Sequence, residues 1–230
     1  MARQRLIAFT GAGASAASGI STFRDQGGLW EQYRIEDVAT PEAWARDPEL
    51  VLKFYDMRRE QVKQAEPNAA HLAIADLEKH FEVDVITQNI DDLHERAGSS
   101  NVLHLHGEIM KARSSSDPDL VVPINGISLR IGDRCPMGSQ LRPHVVWFGE
   151  EVPMMPIAAA MIAEADLLLI VGTSLNVYPA AGLIHHAPAH CRIFLIDPND
   201  VTVTRRGVKH IKRTASIGVP ELAVELVESV

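Results

Sequence analysis

Cysteine is nearly absent: Cys135 and Cys191 are the two in 230 residues. They lie far apart in different contexts, so one chain can build neither a disulfide framework nor a four-cysteine metal site. Long apolar runs are missing too, and no stretch approaches the roughly 20 residues that span a bilayer, which excludes a membrane-spanning segment. Excess positive charge is also lacking. The formal net charge is -8, which argues against broad binding to nucleic-acid phosphates and offers only a weak attraction for basic partners. Met1 to Thr10 enters an apolar, strand-like run almost at once, leaving no room for a signal peptide. The expected location is the cytoplasm.

What remains is an ordinary globular composition, 46% hydrophobic and 23% charged, long enough for one large domain carrying a small insertion. Apolar runs at Leu6–Thr10, Val83–Thr87, Val102–Leu105, Val145–Phe148, Leu167–Val171 and Ile193–Ile196 alternate with helix-like stretches. This pattern predicts a parallel sheet covered on both faces. Between the first two runs lies a long segment, Glu31–Lys79, where Pro41 and Pro67 punctuate helical pieces such as Glu49–Gln64. From Lys111 to Gln140, Ser114-Ser115-Ser116-Asp117-Pro118-Asp119 and several glycines replace any long helix, which predicts a small β-rich or loop module. Pro220–Val230 reads as a closing helix with proline in its first turn. The expected fold class is α/β, a Rossmann-like parallel sheet over 1–30, 66–110 and 140–230 with a smaller domain inserted as 31–65 and 111–139.

Directly after the first strand comes Gly11-Ala12-Gly13-Ala14-Ser15-Ala16, in which Gly11 and Gly13 permit tight turning and close backbone approach. Amides at a following helix start could then hold a pyrophosphate, with Ala16 in place of the third glycine. The same turn could equally be a plain tight connection. The acidic residue expected about 20 positions on, at the end of a second strand, in a dinucleotide-binding dehydrogenase is missing because helical sequence stands there instead, which disfavours plain hydride transfer.

Three blocks follow in order: Ser18-Gly19-Ile20-Ser21-Thr22-Phe23-Arg24-Asp25, Thr87-Gln88-Asn89-Ile90-Asp91-Asp92-Leu93-His94, and His104-Leu105-His106-Gly107-Glu108. With Arg142-Pro143-His144-Val145-Val146-Trp147-Phe148-Gly149-Glu150, Val171-Gly172-Thr173-Ser174 and Val177-Tyr178-Pro179-Ala180-Ala181, they resemble the sirtuin family of NAD-dependent protein deacylases across nearly the whole chain. The resemblance implies a Rossmann-like domain with a smaller helical and zinc-ribbon domain, and a cleft between them where NAD and an acyl-lysine protein meet. NAD is consumed there, giving free lysine, nicotinamide and O-acyl-ADP-ribose.

By the same resemblance, His106 is the catalytic base, and an imidazole near pKa 6.5 suits that task at neutral pH. Read alone, His104 and His106 could be core histidines or a metal pair, and His104 carries no assigned role beyond a structural one. Asn89 and Asp91 are the catalytic residues implied to line the nicotinamide and ribose pocket, with Gln88 and Ile90 beside them. Asn89-Ile90-Asp91 could also be a capped turn before a helix. The implied NAD contacts further include Gly11, Ala12, Gly13, Ser15, Gly19, Ile20, Phe23 and Arg24 of the first loop. Gly172, Thr173 and Ser174 at a strand end, Pro198, Asn199 and Asp200 after the next strand, and Ala215 near adenine complete the set. Val146, Phe148 and Gly149 are implied to pair with the substrate backbone by β-augmentation.

Tyr55 and Arg58 lie three apart on a predicted helix and so share a face. Phe54-Tyr55-Asp56-Met57-Arg58-Arg59 resembles the bacterial class III sirtuin pattern, which implies a pocket for the carboxylate of succinyl- or malonyl-lysine, with Ala39 leaving room for the longer chain. A solvated charged face is the alternative reading. Where relatives carry two cysteine pairs, this chain has Ser114 and its neighbours and Cys135, so the expectation is a module without structural zinc, stapled by Val121, Val122, Ile124, Ile127, Leu129 and Ile131. A protein ADP-ribosyltransferase and a non-catalytic NAD-sensing module remain as other readings.

Overall fold

The computed structural model describes residues 3–22 and 33–229. Six strands form one parallel sheet in the order β3-β2-β1-β7-β8-β9: β1 (Arg5–Thr10), β2 (Glu82–Thr87), β3 (Val102–His104), β7 (Leu167–Val171), β8 (Arg192–Ile196) and β9 (Val208–Ile211). Alternation along a strand sends side chains to opposite faces, and β1 shows the consequence. Leu6 and Ala8 pack with Ile74, Phe81, Val219 and Leu222 on one face, whereas Ile7 and Phe9 pack with Ala158, Ile162, Leu183 and Ile184 on the other. The first face is covered by α5 (Ala69–Asp76) and α8 (Ala215–Glu228), and the second by α7 (Met155–Ala163) and the 3-10 turn Ala180–His186. Burial on both faces explains why β7 reads as five consecutive apolar residues.

The sheet reverses winding between β1 and β7. The chain leaves β1 through α1 (Ala12–Ser15), α2 (Ile35–Val38), α3 (Pro41–Arg46), α4 (Pro48–Gln64) and α5 to reach β2 on one side, while β7 pairs on the other. Loops at the carboxyl ends of these two strands therefore diverge and leave a crevice.

The expected 49–64 helix is α4. Asp47 accepts a hydrogen bond from the Leu50 amide at 3.0 Å, Pro48 opens the first turn, and Lys63 lies in the last turn, so cap, proline and charge all favour a helix between these ends. Its buried face, Val51, Phe54, Tyr55 and Val62, packs with Ile109, Val145 and Trp147. A second, antiparallel sheet, β5-β4-β6, joins β4 (Gly107–Ser114), β5 (Val121–Pro123) and β6 (Leu141–Val145). It runs past both edges of the 111–139 segment expected to hold the small module.

Three readings need correction. Val145–Phe148 is not a strand of the parallel sheet: Val145 ends β6, and residues 146–148 continue as irregular backbone. An apolar run cannot say which of two sheets it joins. Pro220 lies in the second turn of a helix that begins at Ala215, where it withholds one ladder hydrogen bond. β9 was not expected at all, since four residues at an edge give little periodicity. No described helix is long and apolar enough to cross a membrane.

Candidate active site

A cleft of about 590 Å³ opens over the carboxyl ends of β1, β2, β7 and β8 and extends to α4 and the 146–149 segment. It gathers Gly11, Ala12, Gly13, Ser15 and Ile20 from the first loop, and Gln88, Asn89, Ile90, Asp91 and His106 from the ends of β2 and β3. Gly172, Thr173, Ser174, Pro198, Asn199, Asp200 and Ala215 line one end, and Ala39, Tyr55, Arg58, Val146, Phe148 and Gly149 the other. Gly19 is not among the lining residues. With φ of +84° it closes the 3-10 turn Ala16–Ser18, so its work is backbone geometry. Phe23 and Arg24 lie outside the described residues.

The first loop departs from the expected anion cradle. Gly11 N donates to Val171 O at 3.0 Å, Gly13 N to Gly172 O at 2.9 Å and Ala14 N to Gly11 O at 2.9 Å, so these three amides are already occupied. A Cβ at Gly13 would stand 2.8 Å from Gly172 Cα, and one at Gly172 would stand 2.3 Å from Ala14 N. The close approach predicted for the glycines is therefore made to the neighbouring strand end, and it welds the two loops that frame the crevice. The helix that follows, α1, has only four residues.

A chain of buried polar groups lies below the cleft floor. Asn68 caps α5, and its backbone N–H donates to His71 Nδ1 at 3.2 Å, which leaves the other ring nitrogen of a neutral His71 to face the Ser15 hydroxyl at 3.5 Å. Ser15 donates to Asp91 Oδ2 at 3.0 Å, and the Asn89 side-chain amide donates to Gly11 O and to Ser15 Oγ. Asn89 and Asp91 are thus fixed in rotamer from behind. Burial raises the Asp91 carboxyl above its ordinary range, against the lowering pull of the Leu93 amide and Ser15 hydroxyl. Burial pushes His71 down to about 4 and His94 well below 6.5, so both are neutral at pH 7. The capped-turn reading of 89–91 holds as well, since the Leu93 amide donates to Asp91 Oδ1.

His106 is held differently. Its Nδ1–H donates to the Gln88 carbonyl at 2.9 Å, which places the lone pair of the neutral ring on Nε2. Burial lowers its pKa, opposed by that hydrogen bond, so the ring is a base near neutrality.

At the opposite end, Arg58 is 3% exposed and donates to Ser21 O at 3.3 Å and to Gln61 Oε1 at 3.2 Å. Burial lowers its pKa while the Asp91 charge raises it, and both residues line the cleft. The Tyr55 hydroxyl accepts from Trp147 Nε1 at 3.1 Å. A solvated helix face is excluded by this burial. Trp147 in turn is capped by Arg142, whose guanidinium carbon stands 3.3 Å from the ring centroid and whose nitrogens meet Glu150.

His71 stands in none of the sequence motifs, whereas His94, Trp147, Arg142 and Glu150 stand in motif blocks that do not disclose these contacts. The spacing Asn68-x-x-His71 is a capping-box signal that could have marked the first. Asp197, Thr214 and Ser216 also line the cleft without having been singled out, and so does Tyr178 of the Val177–Ala181 block, for which no role was expected.

A family model described as Sir2 family matches residues 11–179. The chain belongs to the Sir2 family. Among its relatives, an NAD-dependent protein deacylase of Bacteroides thetaiotaomicron is 52% identical over 225 residues, covering 95% of this chain and 96% of the relative. A solved Sir2 homologue mutant in complex with ADP-ribose superposes with TM-score 0.92 at 40% identity, covering 99% of this chain and 93% of the other. A Sir2 homologue in complex with NAD gives TM-score 0.87 at 41% identity, covering 99% and 91%.

The segment expected to form the small module carries one thiol among hydroxyls. Cys135 Sγ donates to Ser114 Oγ at 3.5 Å, Ser114 Oγ lies 3.2 Å from Ser116 Oγ, and Ser116 Oγ lies 2.6 Å from Ser139 Oγ. One thiol among three hydroxyls does not fit a closed tetrahedral zinc site. Leu52, Ala112, Leu129 and Leu141 pack around Cys135, with Val122 and Ile124 against them. Of the six residues expected to staple the module, Leu129, Val122 and Ile124 join this cluster, Val121 and Ile127 stand outside it, and Ile131 is half exposed.

Proposed function

We propose that this Sir2-family enzyme removes both acetyl and acidic acyl groups, succinyl or malonyl, from protein lysines, consuming NAD and yielding nicotinamide and O-acyl-ADP-ribose. The observation that carries the acidic specificity is the burial of Tyr55 and Arg58 side by side on α4, with Ala39, at the end of the cleft. A guanidinium taken out of water binds a carboxylate through two charge-assisted hydrogen bonds.

The remaining roles follow from the same geometry. Asn89 and Asp91, locked by Ser15 and Gly11, present an amide oxygen and a carboxyl where positive charge develops on the ribose. His106, with Nε2 unprotonated, accepts the proton of a ribose hydroxyl. Gln88, whose amide donates to Thr173 Oγ1 at 3.1 Å, joins this region to the Gly172–Ser174 loop. Gly11, Ala12, Gly13, Ser15 and Ile20 together with Pro198, Asn199, Asp200 and Ala215 hold the ADP-ribose portion of NAD. The 146–149 segment takes the substrate backbone, and the serine-thiol cluster serves the small module in place of structural zinc.

The test is NAD-dependent removal of acetyl and succinyl groups from otherwise identical lysine peptides by the wild type, His106→Ala and Arg58→Met. Wild type should cleave both, His106→Ala neither, and Arg58→Met should lose mainly desuccinylation. Equal loss of both activities in Arg58→Met would reject the acidic pocket. Release of nicotinamide without deacylation by the wild type would favour an ADP-ribosyltransferase.

A further inference from the structure

His104 and His106 bracket one residue, yet their rings are in opposite electrostatic situations. Both use Nδ1–H on consecutive carbonyls of the same loop: His106 on Gln88 at 2.9 Å and His104 on Asn89 at 3.1 Å. The second nitrogens differ. That of His106 belongs to a ring lining the cleft, whereas His104 Nε2 lies 2.7 Å from Glu95 Oε1 on α6 (Leu93–Arg96). Carbonyl and carboxylate are both acceptors, so only the doubly protonated ring satisfies both. A neutral His104 must abandon either Asn89 or Glu95.

We propose that His104 is a positioning residue of the active site, which as the imidazolium bridging Glu95 and the Asn89 carbonyl holds Asn89 in its working orientation. This rests on the reading of Asn89 as a group that meets the substrate. The remaining holds on Asn89 come from its own amides, one on Thr87 Oγ1 and the others on Gly11 O and Ser15 Oγ, so the carbonyl side of the peptide depends on His104.

The charges around the ring sort as follows. Glu95 and His94 come from α6, Asp91 from the loop before it, and Glu108 and Lys111 from β4. Burial lowers the His104 pKa, but the hydrogen bond and charge of Glu95, the Asn89 carbonyl and Glu108 outweigh it, and the net direction is up. Glu95, His104 and Glu108 also have ligand atoms within 4.8 Å of one another. Lys111 already supplies a cation to Glu108 at 2.7 Å, and the His104 nitrogen a metal would need is the one that meets Glu95, so the cluster is a proton site.

A group with a raised histidine pKa keeps its charged-form contribution below about 6.5 and loses it as pH climbs through the folded value. The enzyme should therefore show an alkaline limb set by His104 in kcat, with KM for the peptide little changed. Glu95 is 40% exposed at its side chain, so Glu95→Gln should fold. The experiment is the pH profile of kcat for wild type, Glu95→Gln and His104→Gln, with NMR titration of the His104 ring and the Asn89 amide signals in the same proteins. The expected result is an alkaline limb about one pH unit lower in Glu95→Gln, the same shift in the His104 titration, Asn89 signals that follow it, and no such limb in His104→Gln. An unmoved limb, or Asn89 signals indifferent to the His104 titration, overturns the proposal. If the wild type removed no acyl group, the deacylase reading would fall while the NMR titration still decided whether His104 holds Asn89.

Discussion

The indole N–H of Trp147 donates to the hydroxyl of Tyr55 across 3.1 Å, with both residues buried. One bond thus ties the proposed acyl pocket on α4 to the segment proposed to take the substrate backbone, and a change at either end is felt at the other.

Tyr55→Phe should cost about 1–3 kcal/mol of stability, because it strands the buried Trp147 N–H without an acceptor. Denaturant unfolding checks this. Trp147→Phe made in the Tyr55→Phe background should cost less than Trp147→Phe alone, since the orphaned donor disappears with it.

The buried neutral histidines make stability depend on pH. A histidine depressed to about 4 in the folded chain, as His71 is, contributes fully above its unfolded value near 6.5, and its contribution is lost as pH falls from there toward 4. His71 alone accounts for on the order of 3 kcal/mol across that window, and His94, 4.8 Å away ring to ring, adds in the same direction. Thermal unfolding from pH 7 to pH 4 should show a steep decline that is shallower in His71→Gln.

Chelator treatment should leave both the melting temperature and the NAD-dependent activity unchanged. Elemental analysis of the washed protein should find no stoichiometric zinc; stoichiometric zinc would reject the hydroxyl and thiol cluster at Ser114, Ser116, Cys135 and Ser139 as the metal's replacement.

Two glycine substitutions should differ sharply. Gly172→Ala places a Cβ 2.3 Å from Ala14 N at φ +60°, and backbone cannot yield, so the protein should fail to fold or lose NAD binding. Gly19→Ala, at φ +84° with nothing within 4 Å, should cost only about 1 kcal/mol from left-handed strain. Calorimetric NAD binding and melting separate the two.

Much of this arrangement was legible in the chain. The continuous apolar runs of β1, β2, β7 and β8 announce a sheet buried on both faces, and Asp47-Pro48 with Lys63 bounds α4 by local chemistry alone. The motif blocks locate most of the cleft because they sit at strand ends, where the fold collects them. What escaped depends on contacts across the sequence. Trp147 meets Tyr55 from 92 residues away, and His71 reaches Ser15 across 56. The occupation of the Gly11 and Gly13 amides needs the end of the neighbouring strand β7, which no local window contains. Val145–Phe148 was misplaced for the same reason, since its register is set by Gly107 and His106.

Glu150 accepts from Arg113, from Arg142 and from the Trp147 backbone amide, while Arg142 also reaches the Val145 carbonyl. Phe148 N is bound to Ala39 O and Val146 N to His106 O. The irregular stretch is therefore ordered before any peptide arrives. A substrate that adds its backbone here need not freeze a loop as well as itself, and the conformational entropy lost on binding is confined to the incoming chain. Loosening this anchor, as in Glu150→Gln, should weaken every peptide alike, whatever acyl group it carries.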